Sequence, residues 1–114
     1  MSASHSIDPQ SIPWKRISAG VYRKDCAYNK GTKQFLSFFK IEKGARLKTH
    51  KHFDREWVYV IDGVYEDEFD SAKKGSIKIN TKGSVHTSQS RKGCLLLVIW
   101  SGKHIPTPAA KRKT

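Results

Sequence analysis

The sequence is short of cysteine, short of acids and without any long apolar run. Only Cys26 and Cys94 occur, far apart and unpatterned. Two such residues cannot build the disulfide framework that staples small secreted domains. A single bridge stays open as an alternative, with reduced thiols the expectation. No stretch approaches the roughly 20 apolar residues that a membrane-spanning helix needs. The opening MSASHSIDPQ lacks both a basic start and an apolar core. It does not read as a secretory signal, so the expected location is the cytoplasm. Nowhere is a helical period of three to four residues sustained, and no internal repeat is present.

Acids are outnumbered 10 to 22 by Lys and Arg, for a net charge of +12. The deficit is uneven. Residues 54–70 hold seven of the ten acids and one base, Arg55, so that segment is −6 and the remainder +18. Basic residues are neither interleaved with aromatics nor aligned along one helix, which is what nucleic-acid recognition asks for. The densest cluster, Lys111-Arg112-Lys113, lies in a tail with prolines. Specific nucleic-acid binding is not expected. Solubility and weak non-specific attraction account for the charge.

What the chain does have is length for one core. Its 114 residues suit a single domain. A flexible N-terminal segment is expected over 1–12, a domain over 13–102 and an extended basic tail over 103–114. Short apolar runs broken by Gly, Lys and Ser predict strands at Gln34–Ile41, Glu56–Ile61, Val64–Phe69, Ser76–Asn80, Val85–Thr87 and Cys94–Trp100. Many short strands indicate an all-β sandwich or barrel. Asp62-Gly63 tolerates the positive φ of a tight turn and predicts a hairpin between the second and third of these strands. Trp57–Ile61 and Cys94–Trp100 are apolar at successive positions. Both faces of such strands should be covered, and a homodimer is the expected cover.

The chemistry concentrates in Gly44-ARLKT-His50-Lys51-His52-FDR-Glu56-WVYVID-Gly63. On an extended strand His50, His52 and Glu56 share one face. Two imidazoles and a carboxylate on one face suit a divalent metal of intermediate softness. The plainer reading is an exposed polar strand carrying unrelated His and Glu. Lys48, Val58 and Val60 have the same parity, so they are candidates for the mouth and floor of a substrate pocket. The plainer reading of Lys48 is a solvated lysine at the rim. Trp57, Tyr59 and Trp100 read as packing or interface residues, and Cys94 as a buried thiol.

The spacing of this stretch resembles the first motif of the cupin family: Gly, five residues, His-x-His, three or four residues, Glu, six residues, Gly. The second cupin motif is approached by Gly75-SIKIN-Thr81-Lys82-Gly83-SV-His86-TSQ-Ser90. There Thr81 stands in place of a proline and Ser90 in place of an asparagine. The resemblance covers about residues 35–100. It implies a cupin β-barrel, a double-stranded β-helix of jelly-roll type. It also implies His50, His52, Glu56 and His86 as ligands of one divalent metal ion per chain, with Fe, Zn, Ni and Mn all admissible.

Within the family the chain looks most like the ChrR-type branch of anti-sigma cupins and diketone dioxygenases. The short segment Val64–Lys74 and Gly93-Cys94 carry that likeness. The sigma-binding helical region of that branch has no counterpart here, so a direct anti-sigma role is not expected. The resemblance implies a metal-dependent oxygenase cleaving a carbon–carbon bond in a small dicarbonyl- or hydroxyketone-like substrate. The alternative is a non-catalytic sensor of metal or small ligand acting through a partner protein.

Overall fold

A computed structural model describes residues 4–101. The basic tail expected over 103–114 lies outside the described residues, as do residues 1–3. Nine strands and one short 3-10 turn, Pro9–Ser11, are found among the described residues. The strands are β1 (Lys15–Ser18), β2 (Val21–Asn29), β3 (Gln34–Ile41), β4 (Ala45–Lys51), β5 (Glu56–Glu66), β6 (Ser71–Lys73), β7 (Ile77–Asn80), β8 (Val85–Ser90) and β9 (Cys94–Ser101). All pairings are antiparallel, in the order β1-β2-β3-β9-β5-β8-β4, with β6 and β7 also on β5. The sheet curls into a nearly closed barrel.

The barrel turns its corner inside β5. Trp57–Gly63 pairs with β9, and Glu56–Tyr59 with β7 on the other side. Beyond Gly63 the strand pairs with β6, and Glu66 meets Gln89 of β8. The hairpin expected at Asp62-Gly63 is therefore not formed. The chain runs straight through, and the register against β9 shifts between Val60 and Asp62. The positive φ of Gly63, 77°, serves a β-bulge that bends the strand rather than reversing it. Asp62 Oδ1 accepts from Gly63 N–H at 3.0 Å and fixes the kink. Reversal comes later, at Asp67–Asp70, where Asp67 N–H donates to the Asp70 carbonyl at 3.1 Å. The strand expected over Val64–Phe69 thus stops at Glu66.

Alternation decides the core. Val58 and Val60 of β5 face in opposite Val98 and Leu96 of β9, and all four are buried. Each fully buried valine contributes about 1.5–3 kcal/mol through apolar area removed from water. Ile41, Tyr65, Cys94 and Trp100 join the same cluster. The opposite parity faces out, and Trp57, Tyr59, Ile77, Ile79 and Ile99 keep large apolar surfaces exposed. The N-terminal segment folds back over the far end of this outer face. Lys24 and Lys40 lie 4.7 and 4.9 Å from the Trp14 ring centroid, and Lys24 Nζ donates to the Pro9 carbonyl at 2.9 Å.

Four strands had no apolar signal, and of these β6 (SAK) is too short to show one. β1 (KRIS) ends the sheet path on one side and β4 (ARLKTHK) on the other. A strand at the end of a sheet faces partial solvent and carries charge at little cost. β2 (VYRKDCAYN) is mostly half-buried and exposed, and the charged heads of Arg23 and Lys24 lie over the rings of Trp100 and Trp14.

Candidate metal centre

Three histidines converge from two strands and a loop. His50 of β4 and His86 of β8 are register partners across an antiparallel pair. His52 lies just past β4, where the chain leaves the sheet. A turn at 81–84 holds it there. His52 N–H donates to the Ser84 carbonyl at 2.9 Å, and Gly83 N–H donates to the His52 carbonyl at 2.7 Å. Thr81 substitutes competently for a turn proline, because its carbonyl accepts from both Ser84 N–H and Ser84 Oγ, at 3.1 and 2.7 Å.

The ring atoms meet closely. His86 Nε2 lies 2.9 Å from His50 Nε2 and 3.0 Å from His52 Nε2. One nitrogen from each ring can be chosen so that all three lie within 4.8 Å of one another. His52 and His86 are buried, His50 half-buried. Outer partners orient two of the rings. His50 Nδ1 lies 2.8 Å from the Lys48 carbonyl, and His86 Nδ1 lies 2.8 Å from Asp67 Oδ2.

Glu56 stands beside this cluster, with Oε2 3.8 Å from His52 Nδ1. Asn80 Nδ2 donates to its Oε1 at 2.8 Å. Burial pushes the Glu56 carboxyl up to about 7, against the lowering pull of Asn80 and of Lys78. Burial would raise Asp67 as well. Hydrogen bonds from His86, Lys78 and the backbone at Asp70 and Phe69 overcome that and hold it well below its usual range.

A cleft of about 310 Å³ opens beside the histidines, lined by Ile17, Arg23, Phe39, Leu47, Lys48, His50, His52, Phe53, Asp54, Glu56, Trp100 and Ser101. A smaller cavity of about 30 Å³ continues inward between His50, Glu56, Val58 and Tyr65. A three-imidazole cluster at the head of an apolar cleft is compatible with a metal site that meets a small organic ligand.

The sequence over residues 2–102 matches the model of the ChrR cupin-like domain. The chain belongs to that family. Among curated proteins none matches this cupin significantly. Solved structures share its fold. An RmlC-like cupin protein from Ralstonia eutropha JMP134 is 20% identical, with a TM-score of 0.78 over 86% of this chain and 68% of its own. The anti-sigma ChrR structure, in complex with SigE of Rhodobacter sphaeroides, is 22% identical, with a TM-score of 0.71 over 81% of this chain. This cupin spans about half, 51%, of that chain. A putative acetylacetone dioxygenase from Methylibium petroleiphilum PM1 is 12% identical, with a TM-score of 0.80 over 88% of this chain and 78% of its own. Among the described residues no helix of this cupin is long and apolar enough to cross a membrane.

The parity argument for His50, His52 and Glu56 does not describe how they meet. They do not share a strand, since residues 52–55 form a connection between β4 and β5. Glu56 begins a new strand and returns to the cluster from another wall. Lys48 is exposed on the cleft. Val58 lines the inner cavity, while Val60 is fully buried in the core. Trp100, expected as packing, both packs on Phe35 at 5.1 Å and lines the cleft. Ser90, in the motif's asparagine position, is fully buried and donates its hydroxyl to the Val64 carbonyl. Asp67, Lys78 and Asn80 were not foreseen. The only signal for Asp67 was the crowding of acids over 54–70, which names no partner, and Lys78 and Asn80 had none.

Proposed function

We propose that this cupin holds one divalent metal ion on His50, His52, His86 and Glu56, and that the loaded site is an oxygenase centre for a small dicarbonyl or hydroxyketone. One observation carries the reading. His50 and His86 each turn Nδ1 toward an oxygen acceptor, so in the neutral ring the proton belongs on Nδ1. Their Nε2 lone pairs then face each other at 2.9 Å. Two bare lone pairs at that distance repel, and a shared cation converts the repulsion into binding. Nitrogens held about 2.1 Å from one ion stand roughly 3 Å apart when they occupy adjacent corners. Glu56 would supply the one anionic donor, with Asn80 engaging Oε1 and leaving Oε2 on the His52 side.

When bound, the ion supplies Lewis-acid polarisation of a chelating oxygen pair and, as Fe(II), activation of dioxygen. Phe39, Leu47, Phe53 and Trp100 surround a substrate with apolar surface and exclude water. Lys48 at the mouth favours an enolate over its neutral parent. Cleavage of R–CO–CH2–CO–R′ by one O2 yields RCOOH and R′–CO–CHO. Both oxygen atoms stay in the products, so no outside reductant is required. The likeness to a putative acetylacetone dioxygenase supports the diketone class. The test is an oxygen-uptake screen of untagged protein loaded anaerobically with Fe(II), against acetylacetone and a panel of acylphenols. Uptake that needs both metal and substrate, and is lost in His86→Ala, is expected. A loaded protein that consumes no oxygen with any of them overturns the oxygenase reading.

The likeness to ChrR in complex with SigE favours a second reading, a metal-dependent sensor acting on a partner protein. That reading expects partner capture that depends on metal, without turnover. Both readings include a homodimer. Ile77 and Ile79 of β7, Trp57 and Tyr59 of β5 and Ile99 of β9 form one exposed apolar patch, because these residues are cross-strand neighbours. Trp14 lies at the β2–β3 end of that face, over Lys24 and Lys40.

A further inference from the structure

We infer that Asp67, braced by Lys78, is a positioning residue that holds His86 with its proton on Nδ1 and its Nε2 lone pair aimed at His50 and His52. The functional meaning of this inference rests on the metal reading above. Asp67 is fully buried at its side chain and every donor to it can be named. Oδ1 accepts from Phe69 N–H at 2.8 Å and Asp70 N–H at 3.0 Å. Oδ2 faces Lys78 Nζ at 2.9 Å and His86 Nδ1 at 2.8 Å. Backbone amides and an ammonium only donate. Three such donors favour the carboxylate over the acid, so the fourth contact is donated by His86 as well.

The brace comes from three separate elements. Asp67 sits in the turn after β5, Lys78 points inward from β7, and His86 lies on β8. Lys78 is 8% exposed and also contacts Asp70 Oδ1 at 2.7 Å. A buried ion pair adds little net stability over well-packed apolar residues of the same volume. Asp67 and Lys78 therefore do for His86 what packing alone cannot: they choose one of its two tautomers. Outer carboxylates on ligating imidazoles act in this way, and their loss costs about 10–100-fold in metal affinity.

Two measurements test this. Long-range 1H–15N correlation on the unmodified, metal-free protein at about pH 8, above the ordinary imidazole range, reads the His86 tautomer directly. A proton on Nδ1 is expected, and a proton on Nε2 overturns the inference. The second measurement is titration with Co(II) followed by visible absorption. Asp67→Asn should weaken binding by about 10–100-fold and shift the ligand-field bands. Lys78→Met, which leaves the Asp67–His86 contact in place, should weaken it less. Unchanged affinity and bands in a folded Asp67→Asn variant overturn the inference. If the unmodified protein takes up no Co(II), the metal reading fails, and the tautomer measurement still decides the role of Asp67.

Discussion

His50 and His86 are direct partners across the β4–β8 pair, and their Nε2 atoms lie 2.9 Å apart. The ladder itself sets this contact. Side chains alternate with a period of two, so a one-residue slip of β4 would turn His50 to the opposite face and break the cluster. The short contact between Thr49 and Thr87 hydroxyls on the same pair of strands helps to hold that register.

Removing one donor from the cluster should empty it. His52→Ala is expected to lower metal occupancy sharply, by at least about tenfold, with the fold retained. Elemental analysis of untagged protein checks this, and undiminished metal would refute the assignment. Glu56→Gln nearly keeps size and keeps a group for Asn80 to contact, while removing the negative charge. Its occupancy should also fall, with little change in melting temperature.

The bulge in β5 leaves no room for a side chain. A Cβ on Gly63 would stand 2.0 Å from the Gly93 carbonyl oxygen and 2.7 Å from Cys94 Cα, both backbone atoms, at a φ of 77°. Gly63→Ala is therefore expected to cost more than about 2 kcal/mol through combined strain and clash. Urea denaturation measures it. A loss below half of that would mean that β5 and β9 can separate locally.

Acid stability should depend in part on Glu66. Hydrogen bonds from the Arg91 side chain, then from its backbone, hold this carboxyl below its ordinary range. Arg91 Nη2 lies 2.6 Å from Glu66 Oε2. Because the folded value is lower than the unfolded one, the contribution is complete above about pH 4.3, the unfolded value. It is lost as pH falls through the folded value. Arg91 is 75% exposed at its side chain, so solvent screening keeps the effect small. Denaturation of Glu66→Gln should show a small loss near neutrality and a shallower decline in acid. An acid limb parallel to that of the unmodified protein would sink this account.

The outer patch should drive pairing of two copies. Ile77 is 66% and Ile79 49% exposed, beside Trp57 and Tyr59 on the neighbouring strand. Sedimentation at micromolar concentration should give a mass near twice 13.0 kDa. Ile79→Lys should shift the population to monomer without altering the circular dichroism spectrum. A single copy for the unmodified protein would leave this patch in water and contradict the dimer.

By itself the sequence determined what depends on neighbours along the chain. The short apolar runs of β3 and β9 and the alternation of β7 mark strands locally, and the absence of helical period is equally local. The two spaced motifs pointed to His50, His52, Glu56 and His86 as one set. Only the tertiary structure decided how those residues meet, because antiparallel pairing joins His50 to a strand 36 residues away. An Asp-Gly pair permits positive φ and does not say whether the chain reverses or bends. Packing against Gly93 and β9 made Gly63 a bulge and carried β5 through as one strand. Polar strands such as β4 lack an apolar signature because their inward positions serve the site. Asp67 and Lys78 were illegible for the same reason. A charge among many reveals its role only when folding brings its partner within hydrogen-bonding distance.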